Sequence, residues 1–577
     1  MQNVFVTTRT FMAGIILSAL LMTTQVFAQP SLTLEREFGS NEVCEGTTYN
    51  YVEYANSLAT TSDAGAVMFG PMYQSCGLYN SSPTAVKVNR FGNMQWNRTY
   101  LIESPGLGFE IVDCANGELA FTCTGVDGVS GIQGALVVRT TAGGGPVWST
   151  IVYCDIEMVH QYHPESIIEA ANGDIVICGS VEHMDSQTDR RDVFMARLDA
   201  GGVLLWSHYY TWAPGIEEVA RFLREDSAGD LIVAGHAIDR NTIDTDGLIM
   251  KTNANGIVVW AHHYGSANIS QEFESLVIDF QDNIYAVGFW DRGNAGADAY
   301  VVKAAGLNGN LIGAAHMYDV APNSLDGAYS INPALNGTSF VVAGEAVIAP
   351  GALNQYGSFA MEIPPALGAP TWIHRYGFTN TRDQFRSVES TPGLGVNPAP
   401  GYWMAGGKDP SGVGGTDLEF YLVRTNQIGE DLCTSNTLPV FSLNYDDEEV
   451  KYQHVTCATS TSITLSYKSI MVQNNICIDI IMKGSTQNDN APINGQMPLL
   501  SPNPVVAGES IALEPGVEAI SRVEVRDILG REVFRHELAN PGETVQVETV
   551  GWSAGTYVVT FVQPDGKTVS ASLQVIK

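Results

Sequence analysis

The residues that first suggest chemistry are two neighbouring histidines. In NANGIVVWAHHYG (253–265), His262 and His263 lie between Trp260 and Tyr264. Paired histidines could hold a metal ion or act as a general base. A second candidate group is scattered: Trp212, Trp290, Asp291, Arg292, His160 and His163, with Tyr162, fall near the ends of apolar segments. Aromatic rings beside carboxylates would suit a sugar or a peptide. HExxH, GxSxG, GxxxxGK[ST] and CxxC are all absent, so no motif points to a catalytic residue, a metal or another cofactor. IDTDG (243–247) has part of a calcium loop but lacks its third acid and its later Glu.

What these residues can do depends on the elements that carry them. A short apolar segment ends in glycine seven times, at Gly70, Gly125, Gly179, Gly235, Gly288, Gly344 and Gly406, with spacings of 55, 54, 56, 53, 56 and 62. That period, built from short strands, indicates a β-propeller unit. Each unit divides into four strands. The turns between the first two include CANGE and AANGD. Asn-Gly there predicts a two-residue hairpin with both central residues at positive φ. Cys123 would then oppose Glu110 and lie too far from Cys114 for a disulfide.

The fourth strands align Trp96, Trp148, Trp206, Trp260 and Trp372, with Gly313 in the remaining unit. A Tyr follows four residues after Trp96, Trp206, Trp260 and Trp372. Residues two apart share a strand face, so Trp, the residue two on and Tyr project together. That middle position holds Arg36, Arg98, Thr150, His208, His262 and His374. On separate blades these cannot converge to the ~2 Å that each ligand of one ion needs. His262 and His263 also point to opposite faces. The histidines are expected to cover aromatic surface. Lys87, Arg139, Arg197, Lys251, Lys303 and Arg424 form a second ladder. They could form a basic ring for an anion; the favoured expectation is that their stems pack between units, with the heads meeting carboxylates of the neighbouring unit.

The seventh unit, 382–433, has no fourth strand of its own, whereas LTLEREFG (32–39) is such a strand without a unit. The N-terminal strand is therefore expected to complete the last blade and remove an open edge. DAYVVKAAGLNG (298–309) and DVFMARLDAGG (192–202) resemble the repeats of secreted bacterial β-propellers of the SBBP type over residues 31–433. The Ser-x-Asp-x-Gly-x-x-x-Trp box of sialidase propellers is missing. The loops between second and third strands differ in every unit, from PMYQSCGLYNSSP to KDPSGVGGTD. Unlike loops on a repeated frame are where a specific site is expected.

The chain has 577 residues and a formal net charge of −33, which disfavours nucleic acid. Arg9, the apolar run at 12–22 and the small-residue exit ending at Ala28 predict a signal peptide cleaved after Ala28. No segment of the mature chain is apolar enough to span a bilayer. All nine Cys follow the signal. Cys44 and Cys76 are expected in loops on one face, where a disulfide is possible.

Residues 434–495 are a connector, strand-rich over 434–484 and then running into the polar linker GSTQNDNAPINGQMP (484–498). Residues 496–577 alternate apolar and polar between turns, as in a small β-sandwich. SPNPV (501–505), VEVRDILGREV (523–533), WSAGTYVV (552–559) and the terminal VIK resemble the type A C-terminal sorting domain of the type IX secretion system. Pro502, Asn503, Pro504, Asp527, Gly530, Trp552, Gly555, Tyr557 and Lys577 carry that resemblance. It implies handling by the type IX machinery, passage through the periplasm, release or display at the cell surface, and a source among the Bacteroidota. The whole reads as an all-β, seven-bladed β-propeller followed by a small β-sandwich. The expected role is non-catalytic binding of an extracellular glycan or protein. A propeller hydrolase or lyase with its site over the central channel, or a structural surface component, are the alternatives.

Overall fold

The computed structural model describes most of residues 31–431, six strands between 436 and 481, and most of 499–576. Stretches outside the description include 1–30, 74–80, 127–130, 154–159, 184–189, 292–295, 348–355, 392–399 and 410–417. Part of each varied loop falls outside the described residues, as do Ala28, Cys76, Arg292, Pro502, Asn503, Pro504, Gly530 and Lys577. The chain divides into two compact units, 1–484 and 485–577.

The first unit is an all-β, propeller-like succession of antiparallel sheets, each built on four strands. The first strands of sheets two to seven are Gly108–Asp113, His160–Glu169, Ile216–Glu225, Ser270–Ile278, Asp326–Pro333 and Asp383–Thr391; Ser57–Thr60 serves in sheet one. Each packs beside the first strand of the next sheet, and that of sheet seven packs beside that of sheet one. In sheet seven the fourth strand is Ser31–Gly39, paired with Glu419–Arg424 so that Leu34 faces Arg424 and Phe38 faces Phe420.

Buried Val, Ile, Leu, Ala and Phe fill the spaces between sheets. At the outer side, each fourth strand also grips the turn before the fourth strand of the next sheet. Trp96, Trp148 and Trp206 donate Nε1–H to the carbonyls of Ala142, Ala200 and Ala254 at 3.1, 3.0 and 3.2 Å. Tyr100 and Tyr210 donate to those of Gly144 and Gly256 at 2.9 and 2.8 Å. The middle residue fills the space between: the His208 ring stacks on Trp206 at 5.0 Å. Gly256 has φ +75, and a Cβ there would lie 2.6 Å from the His208 ring. From Ser31–Gly39, Arg36 makes the same reach, donating to Phe91 O and Asn93 Oδ1 of sheet one at 3.3 and 3.0 Å.

The hairpins differ from the two-residue expectation. Gly117 N–H donates to Cys114 O and Cys114 N–H to Glu118 O, both at 2.8 Å. Gly117 has φ +78, whereas Asn116 is not left-handed. This is a type I turn followed by a left-handed glycine, so one residue instead of two takes the unusual conformation. The longer loop shifts the register by one residue, so that Thr122 faces Glu110, and a bulge beyond it leaves Cys123 facing Gly108. Cys114 and Cys123 are buried free thiols, as is Cys178.

The basic ladder also needs correction. Lys87, Arg197 and Lys251 pair mainly with acids of their own first hairpin: Asp63 at 2.8 Å, Asp174 at 2.8 Å and Asp226 at 2.6 Å. Lys251 stands opposite Ile232, two residues beyond Asp230, so the nearest acid lies within the sheet. Arg139 alone in the ladder shows the expected neighbour among the described pairs, reaching Glu169 at 2.8 Å besides Glu118 at 2.6 Å.

The segment after residue 433 is a belt. Asn436–Thr437, Asp447–Val450, Gln453–Cys457, Thr459–Ser462, Ser466–Lys468 and Val472–Ile481 each pair antiparallel with an outermost strand. They do so on sheets six, four, three, two, one and seven in turn. Six otherwise open edges thereby gain a hydrogen-bonding partner.

In the second unit, Leu499–Ser501, Ser510–Glu514 and Val545–Glu548 form one sheet, while Val505–Val506, Arg522–Asp527, Glu532–Glu537, Gly555–Val562 and Thr568–Ile576 form another. Ile511, Leu513 and Val547 of the first share a core with Val523, Val559, Phe561 and Leu573 of the second. Trp552 packs on Tyr557 with ring centroids 4.8 Å apart.

Candidate functional site

The glycines that mark the repeat are explained by the first strands. In sheets three to seven the first strand carries a β-bulge opposite that glycine. The bulge drives a carbonyl toward the glycine. A Cβ on Gly235 would lie 1.9 Å from Val219 O, and one on Gly288 1.8 Å from Glu272 O. Only hydrogen fits at such a distance. The extra residue of each bulge is Glu165, Arg221, Glu274, Tyr329 or Arg386. All five line one cavity of about 750 Å³, framed by the first strands.

The residue after the bulge ties the first strands together. Ser57, Ser166, Ser275 and Ser330 accept N–H bonds from Ile111, Leu223, Ile331 and Val388 of the next sheet, at 3.2, 3.1, 3.4 and 3.1 Å. Glu110 takes this place in sheet two and accepts from Ile167 N at 2.8 Å. Burial raises the Glu110 carboxyl above its ordinary value.

The cavity's lining mixes two kinds of side chain. Val52, Tyr54, Leu58, Tyr73, Phe109 and Leu418 are apolar or aromatic, and the Tyr54 and Tyr73 rings stack at 6.3 Å. Other lining residues are charged. Arg221 donates to Glu165 at 2.9 Å and lies 3.9 Å from Glu274. The Arg386 guanidinium lies 3.8 Å from the Tyr329 ring centre, and Tyr329 donates to Glu345 at 2.6 Å. Deeper, Arg224 stacks on Phe222 at 4.0 Å and lies 3.6 Å from Glu110. Burial pushes Glu165 up to about 7, against the pull of Arg221, and Glu389 up to about 8, against that of Arg224. Such a lining offers hydrogen bonds, charge and ring faces.

The residues singled out in the sequence make the following contacts. Trp212 packs edge-on against His263 at 4.5 Å. Trp290 is buried, edge-on to Tyr300 at 5.5 Å. Asp291 ends the strand Asn283–Asp291, and His160 begins His160–Glu169. His163 approaches Glu182 at 3.5 Å, with Arg191 also 3.5 Å from that carboxylate. The adjacent histidines divide as their strand requires. His262 faces Trp260, with centroids 5.7 Å apart, while His263 meets Trp212 and is held down at about 4 by burial.

Sequence reasoning missed the cavity residues. The available signal was a residue-Ser pair recurring with the glycine period: Glu165-Ser166, Glu274-Ser275, Tyr329-Ser330 and Arg386-Ser387. It also missed Asp298, Asp319 and Asp326, whose carboxylate oxygens lie within 4.8 Å of one another. Asp244 and Asp246 of the calcium-like segment lie within the strand Asp244–Thr252 and not in a loop.

Comparison with known proteins identifies the second unit. Residues 500–575 match the family described as the secretion system C-terminal sorting domain. The C-terminal unit is a sorting domain. It indicates export by type IX secretion to the cell surface or the extracellular space. No helix among the described residues is long and apolar enough to cross a membrane. No curated protein matches the chain. Among solved structures, the chain is similar to the polysaccharide lyase Uly1, with 9% identity over 69% of this chain and 100% of that one, TM-score 0.40. It is also similar to a PL25 ulvan lyase bound to a GlcA–Rha3S unit, with 12% identity over 66% and 96%, TM-score 0.40. An α-L-arabinanase from Penicillium chrysogenum matches with 10% identity over 56% and 93%, TM-score 0.35.

Proposed function

We propose that this is an exported seven-bladed β-propeller that binds an extracellular glycan in its central cavity without turning it over. In this reading residues 1–28 are a signal peptide, 31–433 the propeller, 434–495 the connector and 496–577 the sorting domain. The N-terminal strand completes the last blade, and the pairing of Ser31–Gly39 with Glu419–Arg424 supports that closure. In the same reading the varied loops, with His160, His163, Trp212, Asp291 and Arg292, would extend the site for a longer ligand, while Trp290 is packed in the core.

The observation that carries the binding role is the mixed lining of the cavity. Tyr54 and Tyr73 suit the C–H face of a sugar ring, and the Arg and Glu side chains suit its hydroxyls. Glu165 and Glu110 are already engaged, by Arg221 and by Ile167 N–H, which favours holding over acid–base chemistry. One observation favours a hydrolase or lyase instead: Glu165, near neutrality at about 7, is suited to proton transfer. A glycan array on the full chain, followed by product analysis on every binder, separates the two. Binding lost in Tyr73→Ala without product formation supports the binding role. Products that vanish in Glu165→Gln establish the enzyme.

A further inference from the structure

We propose that the cavity selects acidic glycans, whose carboxylate or sulfate groups are held by the guanidinium forks of Arg221, Arg224 and Arg386. The inference rests on the glycan-binding reading and adds the class of sugar.

The first observation is unused donor capacity. A guanidinium has five N–H donors in a fixed plane. Each of the three arginines makes one hydrogen bond within ordinary range among the described residues: Arg221 to Glu165 at 2.9 Å, Arg224 to Leu223 O at 2.8 Å and Arg386 to Gln384 Oε1 at 3.2 Å. The second observation is fixed orientation. Arg386 lies against Tyr329 and Arg224 against Phe222, and stacking on a ring holds the plane of the fork. A rigid planar fork pairs two N–H groups with two oxygens of a carboxylate or sulfate, which a neutral hydroxyl cannot match.

The cavity's own carboxylates cancel this only in part. Of the four in the lining, Glu165 and Glu389 are pushed up by burial to about 7 and about 8, and burial raises Glu110; Glu274, 3.9 Å from Arg221, is the remaining acid beside the three arginines. The signs follow directly. An incoming anion favours the protonated forms of Glu165 and Glu389 and is favoured by them. Affinity is expected to be highest near pH 6 and to fall as pH rises through 7 to 8.5. The chain's net charge of −33 opposes approach of a polyanion at long range, so moderate salt should quicken association.

The test is calorimetric titration of the full chain at pH 6 and pH 8.5. One pair of probes is oligogalacturonate and its methyl ester; a second is dextran sulfate and dextran; poly-glutamate controls for charge alone. The acidic member of at least one pair should bind at pH 6 at least tenfold more tightly than its neutral counterpart and than poly-glutamate. The two pairs distinguish carboxylate from sulfate. Arg386→Gln should lose at least tenfold, and Glu165→Gln should bind more tightly with the pH dependence reduced. Should Arg386→Gln fail to fold, Glu165→Gln still decides the matter. Neutral probes binding as well as acidic ones, with Tyr73→Ala abolishing both, would overturn the acidic class while leaving the cavity as a glycan site. Poly-glutamate binding as tightly as oligogalacturonate would overturn selection for glycans. No binding of any glycan would remove the underlying reading and this inference with it.

Discussion

The outer and inner ends of the sheets follow opposite rules. At the outer end one device recurs: Trp and Tyr of a fourth strand clasp the next sheet's turn, as Trp206 and Tyr210 do at Ala254 and Gly256. At the inner end the backbone device recurs, a bulge against a glycine, but the side chain it delivers changes from Glu165 to Arg221, Glu274, Tyr329 and Arg386. A joint that must fit from sheet to sheet tolerates little change. A side chain pointing into a cavity is free to vary, because its neighbours do not depend on its shape. Repetition therefore marks the scaffold, and variation on a repeated backbone marks the site.

The largest break in this comparison should come from the belt. Removing residues 434–484 while keeping the sorting domain exposes the outer edges of six sheets, and light scattering should show aggregation that the full chain does not. At a single joint, Trp260→Ala should cost about 3–5 kcal/mol in denaturant unfolding, the range for a large buried aromatic. Gly288→Ala, which forces a Cβ toward Glu272 O, should cost about 1–3 kcal/mol. Gly117→Ala, at an exposed turn with open space, should cost only about 1 kcal/mol, from its left-handed backbone.

A smaller effect sharpens the comparison through pH. Glu218 is buried and raised to about 9 by desolvation and by Asp192. Its folded-state pKa lies above its unfolded one, so its stabilising contribution is complete below about 4.5 and is lost as pH rises toward 9. The difference in melting temperature between Glu218→Gln and the wild type should therefore move in favour of the variant from pH 5 to pH 9. A difference that stays constant would show that Glu218 is ionised in the folded protein.

Much of the scaffold was legible because it is periodic. The glycine spacing, the Trp–Tyr register and the displaced strand LTLEREFG are one-dimensional signals. His262 and His263 could be separated by strand alternation alone, and the structure places them on Trp260 and Trp212. Arg221 could not be recognised in the same way. In sequence it stands before a Phe, outside the recurring residue-Ser pair that marks Arg386, and only the bulge turns it inward.

The sequence by itself determined that the chain is built from repeated four-stranded units and ends in a sorting domain, because burial and turn chemistry impose local patterns. Tertiary structure decided where the site lies. Strands more than fifty residues apart bring Glu165, Arg221, Tyr329 and Arg386 around one cavity, and no local pattern encodes which side chains meet there. It likewise decided that residues 436–481 gird the sheets, since an edge strand pairs through its backbone and leaves little trace in side-chain type.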